Sequence, residues 1–152
     1  MRKLARRLAI SMATATVAVV ALASPAHAAT NPYSAALACN NDFGGTWANT
    51  TDGHRSINAS DGTKVGDVYL MYNSATGYNC VATIKQVEIG SATGMKAGIR
   101  VEGGSWVERS GNFKYYETIQ RSAVDKCVMY SGDILYFTSW EGSSRSTWGN
   151  CG

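Results

Sequence analysis

The sequence predicts an all-β fold, a small antiparallel sandwich or barrel stapled by two disulfides. Sixteen glycines, two prolines and few helix-favouring stretches argue against a helical bundle. Short apolar and aromatic runs recur between Gly-rich turns. Four cysteines, an even number, all follow a segment that reads as an export signal.

That segment comes first. Arg2, Lys3, Arg6 and Arg7 open the chain without an acidic neighbour, and residues 8–23 are apolar or small apart from Ser and Thr. Pro25 ends any helix, and Ala26-His27-Ala28 supplies the small-x-small pattern of signal peptidase sites. The apolar core falls short of the roughly 20 residues of a spanning helix. The expectation is a signal peptide at 1–28 and one secreted domain at 29–152, with no membrane attachment after cleavage. A chain of about 124 residues buries a single core.

The net charge of +3 belongs to the whole chain, and four of its fourteen basic residues lie in the signal. Ten Lys and Arg then face eleven Asp and Glu, for a net charge of about −1. The charges are scattered, so the basic stripe of a nucleic-acid binder is absent and no nucleic-acid partner is expected.

Cys39, Cys80, Cys127 and Cys151 are widely spaced, unlike the close pairs of zinc sites. In an exported domain they imply two disulfides, and no metal or cofactor is expected. Three connectivities are open. Cys39–Cys80 with Cys127–Cys151 is preferred because sequential pairing ties each end of the chain to a nearby strand.

Residues 31–38 suit one short helical turn leading into Cys39, and residues 40–63 read as a polar passage. Residues 65–86 read as strand, Ala75-Thr76-Gly77 loop, strand, with Gly77 left-handed. Ser74 then faces Tyr78. Counting outward pairs Val68 with Ile84, Leu70 with Ala82 and Tyr72 with Cys80 on the inward face, and Asp67 with Lys85 on the other. Further strands are predicted at 96–102, 106–109, 113–119, 124–130 and 134–139. Ser110-Gly111-Asn112 and Ser131-Gly132-Asp133 are read as the turns between them, which sets Glu108 opposite Lys114 and Trp106 opposite Tyr116.

The run VYLMYNSATGYNCVATIK (residues 68–85), the segment SGNFKYYETI (110–119) and the ending WGNCG (148–152) resemble the spore-associated protein A family of filamentous actinobacteria. The first of these is the specific one. The resemblance implies matching cysteines, secretion, and association with spores and aerial growth, and it implies no enzymatic activity.

The residues themselves offer little for catalysis. His54 is the one histidine outside the signal and sits in the polar stretch Thr51-Asp52-Gly53-His54-Arg55. A Ser-His-Asp site would need it beside a serine, with Asp52, Asp61 or another acid as orienter. No G-x-S-x-G occurs, and Gly103-Gly104-Ser105-Trp106 reads as a β-turn. His54→Ala is therefore expected to leave folding intact. Glu102, Glu108 and Glu117 could supply paired carboxylates, but ion pairing with Arg100, Arg109 or Lys114 accounts for them.

Tryptophans and tyrosines are the better lead, because a ring can stack on the C–H face of a sugar. Trp47 and Trp148 lie in polar stretches and are expected to be the most exposed, Trp106 and Trp140 less so. Packing is the default role of each ring. The expectation is a secreted non-enzymatic protein associated with components of the spore or cell-wall surface. The alternative is a carbohydrate-binding module using exposed aromatic residues.

Overall fold

The structure, a computed structural model, describes residues 29–151, so the predicted signal at 1–28 lies outside the described residues. One helix, α1 (Ala35–Phe43), precedes eight strands: β1 (Ala48–Asn58), β2 (Lys64–Asn73), β3 (Tyr78–Lys85), β4 (Thr93–Val101), β5 (Val107–Phe113), β6 (Tyr116–Ser122), β7 (Val128–Tyr136) and β8 (Ser139–Gly149). They form two four-stranded antiparallel sheets, ordered β1-β2-β3-β6 and β5-β4-β7-β8. The all-β expectation holds, in its sandwich form.

The sandwich core follows from alternation along the strands. Val68, Leu70, Val81 and Ile119 of the first sheet face Ala97, Ile99, Tyr130 and Ile134 of the second, all buried. At Gly132 the sheets come so close that a Cβ would stand 2.7 Å from Val68 Cβ. Glycine is required there for packing.

The first sheet is covered on its other face as well. Ala35, Ala38 and Cys39 of α1 pack with Trp47 against Met71, Cys80, Ala82 and Ile84. This double burial explains why β2 and β3 read as nearly continuous apolar runs. The Ser34 hydroxyl caps α1 by accepting from the Leu37 N–H at 3.2 Å. Gly44, left-handed at φ 70°, ends it and returns its N–H to the Asn40 carbonyl. The helix runs through Cys39, longer than the single turn predicted.

Both disulfides join the preferred partners, Cys39 with Cys80 and Cys127 with Cys151. The first fastens α1 to β3. The second fastens the chain after β8 to the approach to β7.

The β2–β3 hairpin is present with Gly77 left-handed at φ 71°, but its register is one residue off the predicted one. Asn73 faces Tyr78, leaving a four-residue loop of Ser74–Gly77. Asn73 closes that loop itself: its side-chain oxygen accepts from the Ala75 N–H at 3.0 Å, and its carbonyl accepts from the Gly77 N–H at 2.8 Å. Val68 therefore pairs with Thr83, Leu70 with Val81 and Met71 with Cys80. Cys80 lies on the face under α1 instead of the sandwich core, and Asp67 does not pair with Lys85.

Later strand boundaries shift for a related reason. Ser110-Gly111-Asn112 and Ser131-Gly132-Asp133 lie inside β5 and β7, not at turns. β5 pairs with β4 and not with β6, so Glu108 faces Gly98 rather than Lys114, and the Trp106–Tyr116 pair does not form. The polar passage contains β1, and β8 extends well past the last predicted strand.

Candidate functional site

The outer face of the second sheet carries three half-exposed tryptophans: Trp106 (45%), Trp140 (46%) and Trp148 (40%). Alternation on β4 points Met95, Ala97 and Ile99 inward and Gly94, Lys96, Gly98 and Arg100 outward. The glycines seat the rings. A Cβ on Gly94 would stand 2.8 Å from Trp140, and one on Gly98 would stand 3.4 Å from Trp106. The cations interleave them, Lys96 Nζ lying 4.7 Å from the Trp140 ring centre and the Arg100 guanidinium 5.4 Å from that of Trp148. The outcome is a row of aromatic surface along β4, held by backbone below and by cation contacts between.

The charges of this face are balanced. Lys96 stands 3.6 Å from Glu108 across the β4–β5 pair. Asp133, opposite Lys96 on β7, has its pKa raised by burial, an effect that Lys96 opposes. Rings with one supported side and compensated neighbouring charge suit a neutral, flat apolar surface such as a sugar's C–H face.

Trp47 departs from expectation. It is only 7% exposed, packed edge-on to Phe43 with its indole N–H donating 2.8 Å to the Gly44 carbonyl. The helix that covers it runs on to Phe43, beyond the range where sequence reasoning placed a turn. Trp106 and Trp140, rated less exposed, belong to the exposed row with Trp148.

His54 also sits elsewhere than predicted, on β1, opposite Tyr69 on β2, with which it stacks at 4.6 Å and 16°. Its Nε2 lies 2.6 Å from Asp67 Oδ1. That carboxylate, 2% exposed, also receives Lys64 Nζ at 3.0 Å, the Ser56 hydroxyl at 3.3 Å and Gln86 Nε2 at 2.5 Å. A serine, a histidine and an acid thus meet, but the Ser56 hydroxyl donates to Asp67 and not to the imidazole. The nucleophile-to-base contact of a triad is not made. Asp52 pairs instead with Arg55, which holds its carboxyl below the usual range.

His54→Ala is consequently expected to matter for folding, correcting the loop-based reading. The loss of its bond to a buried carboxylate and of the Tyr69 stack should cost about 1–2 kcal/mol, Lys64, Ser56 and Gln86 retaining Asp67. Urea unfolding of the variant reads this directly.

The candidate carboxylates separate. Glu102 accepts from the Cys127 N–H at 3.3 Å. Glu108 takes Lys96. Glu117 takes Arg109, whose Nε lies 2.9 Å from Oε1; the ion pair that the sequence suggested forms, but between the edge strands of the two sheets and not across a paired ladder. Glu117 is 1% exposed, and neither of its oxygens accepts a hydrogen bond among the described residues. Burial pushes its pKa up to about 7 against the opposing pull of Arg109. Gly103-Gly104 forms the turn after β4 as read, with the Gly104 N–H donating to the Val101 carbonyl. No group of three or more metal-ligating side chains, and no helix long and apolar enough to cross a membrane, occurs among the described residues.

No family model matches the chain, and no solved structure matches it. Spore-associated protein A of Streptomyces coelicolor is 35% identical over 102 residues, which cover 66% of this chain and 62% of that relative. The match thus spans less than two thirds of the relative's length. It bears out the resemblance read from the sequence: the chain is similar to spore-associated protein A.

Proposed function

We propose that the protein is exported, acts without catalysis at the spore or cell surface, and is retained there by glycan contacts of its tryptophan face. The observation that carries the glycan part is the row of Trp106, Trp140 and Trp148, half exposed and seated over Gly94 and Gly98. A large ring left half in water is expensive as packing and useful as a stacking platform. The relative's name supports the spore setting, and two disulfides suit an oxidising exterior.

Purified mature protein is expected to sediment with at least one of chitin, cellulose and peptidoglycan. Trp106→Ala with Trp140→Ala should weaken that binding at least tenfold, the loss of about 1.4 kcal/mol, while His54→Ala should bind as wild type once folded. A double variant that binds all retained polymers unchanged overturns the reading. So does reproducible turnover of peptide, ester or glycan substrates.

A further inference from the structure

A second feature lies on the opposite sheet. A cleft of about 780 Å³ opens between the segment leading into α1 and the outer face of β1 and β2. Its size is that of a site for a small organic molecule, typically 300–1,000 Å³. Tyr33 and Tyr69, both partly exposed, supply aromatic surface over a buried floor of Trp47, Met71 and Ile84, and Asn49 and Gln86 supply polar groups.

The charges decide what the cleft suits. Among the described residues, Asp67 and Lys85 are the only charged ones that line it. Asp67 is met by His54, Lys64, Ser56 and Gln86. Lys85 Nζ donates to the Ser91 carbonyl at 2.9 Å and to the Thr93 hydroxyl at 2.5 Å. Both are therefore satisfied within the chain, and neither is left to select an ion of opposite sign. Gln86 spends its Nε2 on Asp67 and keeps Oε1 as an acceptor, and Asn49 lies exposed on β1 at the cleft wall with an amide that both donates and accepts. Aromatic surface, neutral amide groups and two charged groups already buried and hydrogen-bonded within the chain together match a ligand that is uncharged, hydroxylated and apolar on one face.

We propose that this cleft is a binding site for a neutral mono- or disaccharide, separate from the tryptophan face. It extends the glycan reading to a second place and does not depend on the first.

The test is an NMR titration of isotopically labelled mature protein with glucose, N-acetylglucosamine, cellobiose and chitobiose. Saturable shifts of the Tyr69 and Gln86 amides are expected with at least one sugar. Asn49→Ala should weaken them at least threefold, and Trp140→Ala should leave them unchanged. Asn49 is exposed, so its substitution spares the fold, which a melting curve checks. Ala36→Trp, which fills the cleft, should abolish the shifts. The proposal is overturned if none of the four sugars shifts the cleft, or if the shifts survive Ala36→Trp. Polymer binding through the tryptophans with an unshifted cleft would sink this site and leave the surface-retention reading standing.

Discussion

Replacing Cys39 and Cys80 together by alanine is expected to lower the unfolding free energy by about 4 kcal/mol. The bridge closes a loop of 41 residues, and the chain entropy it removes from the unfolded ensemble is worth about that much. Domains of this size hold only about 5–15 kcal/mol in total. Both cysteines are fully buried, so the loss of packing adds to the entropic term. The other bridge closes 24 residues, and its removal should cost about 3.5 kcal/mol. Urea unfolding of each double-alanine variant measures the effect, and a loss under about 1 kcal/mol would show that the bridges are not what stabilises the domain. The variants should also differ in kind. Loosening α1 uncovers Trp47, so the Cys39/Cys80 variant should show red-shifted tryptophan emission at denaturant concentrations where the sheets persist.

The second large effect is a pH dependence at Glu117. Its folded pKa of about 7 lies above the ordinary 4.5 because burial disfavours the carboxylate more than Arg109 favours it. A carboxyl whose pKa rises on folding binds its proton more tightly in the folded state. Its contribution is fully present below about pH 4.5 and is lost as the pH rises to about 7. The swing is on the order of 3 kcal/mol. Glu117→Gln keeps the shape and removes the titration. Relative to wild type, the variant should gain about 3 kcal/mol between pH 4 and pH 8. Stability curves that run parallel across that range would refute the assignment. Arg109 is half exposed and remains solvated in the variant, so its release does not mask the gain.

The elements legible in the sequence are those whose residues obey one constraint at a time. The β2–β3 hairpin was visible because apolar residues fill both strands and Gly77 marks the turn. Its register was not, because Asn73 can end a strand or cap a loop, and only the hydrogen bonds it makes decide which. Gly111 and Gly132 look like turn residues and lie in strands. Gly132 admits Val68 and Thr83, and a Cβ on Gly111 would meet the Phe113 ring at 2.8 Å, so close approach accounts for each. Glycine signals a tight neighbour as readily as a reversal of the chain.

β1 and β8 escaped reading because they are largely exposed and polar, with little alternation to betray a strand. That miss hid the neighbours of His54, because Asp67 and Tyr69 meet it only across the β1–β2 pair. The tryptophan row was invisible for a different reason. Its members come from the segment before β5 and from both ends of β8, and nothing in their spacing places them on one face. The glycines at 94 and 98 were the available signal, two outward positions of one strand left without side chains.

The placement of the two bridges also governs how the chain responds to tension. A pull applied outside Cys39 and Cys151 passes through the first bridge, along the stretch from Cys80 to Cys127, and through the second. The loops that hold β1, β2, β7 and β8 carry no load. Fully drawn out, the loaded stretch spans about 160 Å, against about 380 Å for the same segment without cross-links. A protein anchored in a drying or swelling coat would therefore yield by a short, fixed length and keep half of its strands out of the line of force.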